Sequence, residues 1–356
     1  MKILVLPCDG IGPEITAASM KVLNAANDKF RLGLHFDHED AGFPSLEKYG
    51  TTLRDETLEK ARSYDGLILG TISHMDYPAV EKGGINVSAA FRTKLDLYAN
   101  VRPARSRSFL GKGVSNMDLV IMREATEGFY PDRNMHQGWG EMMPTEDLAL
   151  SIRKVSAHAS ERIARRSFEL AMKRRKKVAA IHKANAFKMT DGLFLREVRK
   201  VAQEFPEVEL KEFIVDAFAA HLVRDASRFD VVVATNFYGD ILSDLASELS
   251  GSLGLAGSMM AGDSLCCAQA QHGSAPDIQG QDIANPTSMI LSVSMLLNWL
   301  GERHKLASFE RAGAAINEAV DRVLADPAKR TRDLGGTLGC KAFGETVANV
   351  VQAVAS

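Results

Sequence analysis

The chain has 356 residues, 46% of them hydrophobic and 25% charged, the proportions of an ordinary globular protein with room for roughly two domains. A formal net charge of -2 at pH 7 gives no electrostatic reason to expect nucleic acid or an anionic membrane as a partner. No apolar run approaches membrane-spanning length, and the opening MKILVLPCDGIG reads as a short strand rather than a secretion signal. Cys8, Cys266, Cys267 and Cys340 suit neither a disulfide framework nor a zinc-ligand spacing, and they read as small buried residues in a reducing cytoplasm.

Taken in chain order, residues 2–6 predict a buried strand, and Pro13 suits the first turn of a helix running to about Phe30. A second buried strand is expected at 65–70 and a helix over 86–98. The segment MDLVIMRE from Met117 reads as another strand. Leu148, Ile152, Val155 and Ile163 predict a long amphipathic helix after Pro144. Further strands fall at 177–182, 208–215 and 230–236, and Asn285-Pro286 opens a late helix. This alternation predicts an α/β architecture without repeats or a long linker. Neither GSLGLAG (251–257) nor DGIGPE is the G-x-G-x-x-G fingerprint, so a standard Rossmann domain is not expected. The basic run 173–177 ends a predicted helix, where cations meet the negative end of the helix dipole, and reads as a cap rather than a nucleic-acid contact.

Asp240 and Asp244 in NFYGDILSDLASEL are four residues apart, which puts both carboxylates on one helix face. Close carboxylates repel unless a cation intervenes, and an all-oxygen donor set suits Mg²⁺ or Mn²⁺. Asp216 could supply a third oxygen; it could equally cap a helix. Lys183 and Asn185 follow a buried strand, where ligand groups collect in α/β proteins. A desolvated lysine there can act as a base. Arg92, Arg102 and Arg123 could grip carboxylates with their forked guanidinium groups, and Tyr130 could donate a proton. The glycine-, alanine- and proline-rich stretch 272–286 has the character of a loop whose backbone closely approaches a ligand.

Together, LPCDGIGPE, LDLYANVRPARS, REATEGFY, HKANAFKMTDGLF, NFYGDILSDLASEL, HGSAPDIQGQDIANP and TRDLGGTLG resemble the isocitrate/isopropylmalate dehydrogenase family, the β-decarboxylating dehydrogenases, over nearly the whole chain. The resemblance implies a two-domain isopropylmalate dehydrogenase-like fold. Residues 1–99 with 251–356 would form a large cofactor-binding domain, and 100–250 a smaller domain that builds a homodimer. It implies NAD and Mg²⁺ or Mn²⁺ as cofactors. Arg92, Arg102, Arg123, Asn185, Ser88 and Asn86 would bind a hydroxy-acid substrate, and Asp216, Asp240 and Asp244 the metal. Lys183 would be the base, contributed with Asp216 across the dimer, and Tyr130 the acid. Ile11, His272, Gly273, Ser274, Ala275, Pro276, Asp277, Ile278 and Asn285 would bind the cofactor. Asp277-Ile278 stands where NADP-using relatives carry lysine and tyrosine, so NAD is expected.

Two positions depart from the family pattern: Cys8 replaces a usual glycine, and Gln269 a usual glutamate. A non-catalytic regulatory subunit would be expected to have lost the lysine, the tyrosine or the aspartates, and all are present. For the substrate, Ser88 and Asn86 facing an isopropyl tail would leave polar groups unpaired, at about 1–3 kcal/mol each. That favours a polar or absent substituent, as in isocitrate, homoisocitrate or D-malate, although HGSAPDIQG is more like the isopropylmalate branch.

Overall fold

The wholly apolar runs form buried strands, and their alternation with helices builds two compact units in a computed structural model that describes residues 1–354. The first unit takes residues 1–95, 109–111 and the chain from 252 onward; the second takes 96–108 and 112–251. The first unit opens with β1 (Lys2–Cys8), α1 (Gly12–Phe30), β2 (His35–His38), α2 (Phe43–Tyr49), α3 (Asp55–Arg62), β3 (Gly66–Thr71) and α4 (Val87–Lys94). The second holds β4 (Ala99–Arg105), β5 (Asp118–Glu124), β6 (Glu141–Thr145), β7 (Leu148–Ser151), α5 (Ala157–Met172), β8 (Lys177–His182), α6 (Thr190–Ala202), β9 (Glu209–Ile214), α7 (Val215–Arg224), β10 (Val231–Ala234) and α8 (Asn236–Leu249). The chain returns to the first unit with β11 (Met259–Ala261), β12 (Cys266–Gln269), α9 (Thr287–His304), α10 (Ala307–Ala325) and α11 (Cys340–Ala353).

The first unit's strands run in the order β2-β1-β3-β12-β11, parallel except for the last pair. Every residue of β3 is buried, as expected of a parallel strand covered on both faces. In the second unit the order is β4-β5-β10-β8-β9, and β5, β10, β8 and β9 are mutually parallel. Its sheet is sandwiched. Ile163, Phe168, Phe194 and Val198 of α5 and α6 cover one face, and Phe218, Leu222 and Leu242 of α7 and α8 the other. Because those four strands are parallel, the segments leaving β5, β8, β9 and β10 all emerge at one edge. That edge carries the residues of interest.

Two expected elements are corrected. The helix expected over 86–98 ends at Lys94, and Asp96 takes a left-handed backbone (φ 51°) that turns the chain into β4. No helix follows Pro144 directly. Residues 141–151 form the exposed two-stranded ribbon β6-β7, and the helix starts at Ala157 behind Ser156, whose hydroxyl accepts the Ala159 N–H. The spacing of Leu148, Ile152 and Val155 imitates a helical stripe, but Leu148 faces solvent.

Candidate active site

Seven side chains of the second unit interlock at the edge where its parallel strands end. Arg123, near the end of β5, is buried; its Nε donates to Asn236 Oδ1 (2.8 Å), its Nη2 to the Tyr130 hydroxyl (2.8 Å) and its Nη1 to Asp240. Tyr130 in turn donates to Asp240 Oδ2 (2.8 Å). Arg102 on β4 reaches the same helix face, and its Nη1 lies 3.3 Å from Asp240 Oδ1, 3.2 Å from Asp244 Oδ1 and 2.6 Å from Ser243 Oγ. Burial, with Arg123 close by, lowers the Arg102 pKa to about 10. The helix can lie so close because residue 239 is glycine: a Cβ there would meet the Arg123 side chain at 2.7 Å.

The expected one-face arrangement of Asp240 and Asp244 is therefore present, with both carboxylates gathered on one guanidinium. Their oxygens are a hard donor set suited to a divalent cation. Asp216 is elsewhere. It sits in the first turn of α7, beyond β9, and accepts from Lys183 Nζ at 2.7 Å, a bond that holds its carboxyl below the usual range. Lys183 follows β8, and Asn185 lies exposed in the loop beyond it. Among the described residues no three His, Cys, Asp or Glu side chains gather as a metal site. The sheet order explains this: β9 is three strand positions from β5, about 14 Å at the usual strand spacing.

In the first unit, Arg92 projects from α4 and its Nε contacts the Met260 sulfur at 3.1 Å. Asn86 caps α4, its Oδ1 accepting the Ala89 N–H, and buried Ser88 donates to Gln269 Oε1 at 3.0 Å. Gln269 donates to the Gly70 carbonyl through Nε2 (3.2 Å), which fixes the amide's orientation and makes Ser88 the donor. Both polar side chains already have partners, so the unpaired-group penalty reckoned for an alkyl tail does not arise; only their small size bears on the substituent.

The 272–278 loop is shaped by backbone. Ile11 N–H donates to the Ser274 carbonyl (2.8 Å), the Ser274 hydroxyl meets Ser73 (2.7 Å), and a Cβ at Gly10 (φ 57°) would strike the Ser274 oxygen at 2.0 Å. Ala275 is left-handed (φ 38°) and starts a single 3₁₀ turn, Pro276–Ile278, on which Asp277 is exposed. Gly273 has open space where a Cβ would stand, and His272 Nδ1 lies 3.0 Å from the Gly273 carbonyl. Asn285 donates to Asp333 (2.9 Å) and accepts the Thr287 N–H; the N-cap position of α9 falls on Pro286, one residue later than the Asn285-Pro286 start implied. Cys8 takes a left-handed conformation (φ 58°), which accounts for the usual glycine at that position.

The family description "Isocitrate/isopropylmalate dehydrogenase" matches residues 2–347. The chain belongs to this family. It is 40% identical to the 3-isopropylmalate dehydrogenase of Archaeoglobus fulgidus over 98% of this chain and 99% of that one. It is 41% identical to the isocitrate/homoisocitrate dehydrogenase of Thermus thermophilus, over 99% of both. The crystal structure of isocitrate dehydrogenase from Methylococcus capsulatus superposes with a TM-score of 0.87 at 38% identity, covering 99% of each chain. The chain is thus a dehydrogenase of this family with its two-domain α/β fold. Relatives bearing different substrate names are equally similar, so overall similarity does not choose among the acids.

The sequence reading missed several residues that shape the site. Asn236 orients Arg123 and Ser243 holds Arg102; Gln269 stood out only as a departure from the family pattern, not as the acceptor of the Ser88 hydroxyl. The basic run is structural: Arg174 pairs with Asp118 and Asp230, Arg175 with Asp118, and Lys176 with Glu207. No described helix is long and apolar enough to cross a membrane, and all four cysteines are buried free thiols.

Proposed function

We propose that the protein oxidises a malate-type 2-hydroxy acid and releases its β-carboxyl group as carbon dioxide, using NAD and a divalent cation. The hydrogen-bonded cluster of Arg102, Arg123, Tyr130, Asp240 and Asp244 carries this reading. It combines carboxylate-gripping guanidinium groups, a proton donor and an oxygen donor pair on one helix face.

Arg92, Arg102 and Arg123 hold the substrate's carboxylates. Lys183 accepts the 2-hydroxyl proton as hydride leaves the same carbon, giving a β-keto acid. The bond to the β-carboxylate then breaks, carbon dioxide departs, and Tyr130 delivers a proton to the carbon left electron-rich. A cation held by Asp240, Asp244 and Asp216 would acidify the hydroxyl and stabilise charge on its oxygen. NAD would take the hydride, bound by Ile11, the 272–278 loop and Asn285. Exposed Asp277 favours NAD, because a carboxylate accepts ribose hydroxyls and repels a 2′-phosphate.

The reading includes a homodimer in which Lys183 and Asp216 serve the partner's site. Two observations support it: Asp216 stands apart from Asp240 and Asp244, and the second unit exposes apolar side chains. These are Met142, Met143, Leu148 and Leu150 on the ribbon, and Val223, Phe237 and Ile241 on α7 and α8. An isolated two-stranded ribbon is marginal by itself, and exposed apolar patches favour association. The buried free thiols are compatible with a reducing cytoplasm. A turnover screen of 3-isopropylmalate, isocitrate, homoisocitrate, D-malate and tartrate with NAD and Mg²⁺ tests the proposal and identifies the substrate.

A further inference from the structure

We infer that the buried ion pair Arg153–Asp191 is a positioning device that ties Lys183 to the helix bearing Asp240 and Asp244. Asp191, in the first turn of α6, is wholly buried, and the Arg153 side chain is 5% exposed. Arg153 Nη1 lies 2.5 Å from Asp191 Oδ1, in an ionic contact without hydrogen-bond alignment. The other carboxylate oxygen accepts the backbone N–H of Lys183 and the Tyr238 hydroxyl (3.2 Å). Arg153 Nη2 donates to the Thr235 hydroxyl (2.9 Å), on the residue immediately before α8, and Nη1 reaches the Tyr238 hydroxyl at 3.5 Å. The guanidinium lies over the rings of Phe129 (5.4 Å), Phe187 (5.5 Å) and Tyr238 (4.9 Å), which hold it in place.

Burying two charges is costly, and an apolar pair of similar volume often stabilises a fold as well or better. Stability alone therefore does not explain this pair, whereas its contacts do. Asp191 holds the amide of Lys183 where β8 ends, and Arg153 holds the residue that starts α8, where the adjacent β10 ends. The pair registers two neighbouring strand ends whose side chains carry the proposed proton transfer and cation binding. The functional consequence rests on the reading of Lys183 as the base.

The test replaces both charges, Arg153→Leu with Asp191→Leu, so that neither is left buried alone. Far-UV circular dichroism and thermal unfolding establish folding. With the hydroxy acid that wild type turns over, kcat falls by about a hundredfold, the cost of a small misplacement, while KM changes by less than about threefold. The rate at which an amine-acylating reagent labels Lys183, followed by peptide mapping, also changes by about tenfold or more as its surroundings loosen. A folded double variant with wild-type kcat and labelling rate overturns the inference. If the double variant does not fold, Asp191→Asn, which keeps an oxygen for the Lys183 amide, is compared with Asp191→Ala. Higher kcat for Asn sustains the inference and equal kcat overturns it. Lys183→Met is measured alongside: turnover surviving that change refutes Lys183 as the base, while the labelling rate still judges its positioning.

Discussion

The two units present their candidate site residues by different means. The second builds a cluster from long charged side chains that hold one another: Arg102 and Arg123 converge on Asp240, and Tyr130 bridges Arg123 and Asp240. The first shapes its loop from backbone, through the Ile11–Ser274 hydrogen bond, the close approach at Gly10 and left-handed Ala275. Where side chains make the site, residue identity carries the chemistry and a conservative change should strike turnover. Where backbone makes it, side-chain volume should matter more than chemistry, and the effect should fall on cofactor affinity.

The largest expected loss is in the second unit. Lys183→Met should reduce hydride transfer roughly a thousandfold, and Tyr130→Phe should slow decarboxylation and protonation roughly a hundredfold while sparing oxidation. Single-turnover NADH and carbon dioxide measurements separate the two steps. Mixing the two mutants under subunit exchange should restore activity in hybrid dimers; verified exchange without rescue would count against a site shared between copies.

A substitution of volume alone sharpens the comparison. Gly239→Ala sets a methyl 2.7 Å from the Arg123 side chain, and should lower kcat about tenfold or more by displacing that guanidinium. Gly10→Ala collides with the Ser274 carbonyl and meets a positive φ, so it should raise the KM for NAD with less effect on kcat. Equal kcat losses at both glycines would erase the distinction. A smaller shift is expected from Asp277→Lys, which should move the NAD-over-NADP preference in kcat/KM by about tenfold, roughly 1.4 kcal/mol, towards NADP.

The smallest effect concerns stability. Burial raises the Glu127 pKa above the ordinary carboxylate range, to about 6. A raised folded pKa means that the protonated form fits the fold better, so stability from this group is present below the unfolded value and is lost as pH rises through about 6. Glu127→Gln should therefore gain on wild type at pH 8 by at most about 2 kcal/mol, with no advantage at pH 4. Parallel melting curves across this range check it.

How much of this was readable beforehand differs by region for physical reasons. β3, β8 and β10 were legible because strands buried on both faces are continuous apolar runs. The ribbon β6-β7 was not, because Leu148, Ile152 and Val155 fall at helical spacing, and Leu148 and Leu150 face outward within this chain. Each member of the charge cluster was visible as a polar residue on a strand, in the segment following β5 or on one helix face. Their mutual bonds were not, since Arg102 and Asp240 are 138 residues apart. Arg153 and Asp191 went unnoticed because charged residues ordinarily read as solvent-facing, and only the fold shows them buried together. The placing of Ser88 and Asn86 near the substituent-selecting turn came from sequence, but their satisfied hydrogen bonds did not, and those remove the energetic case against an alkyl tail.

The central claim is that the second unit's cluster performs metal-assisted oxidative decarboxylation. Its most direct test incubates the purified protein with NAD, Mg²⁺ and each malate-type acid, following NADH by absorbance and carbon dioxide by trapping. The account predicts that at least one acid yields both products in equal amounts, that excess chelator stops turnover, and that added Mg²⁺ or Mn²⁺ restores it. Full turnover in chelator, or NADH without carbon dioxide, would contradict it.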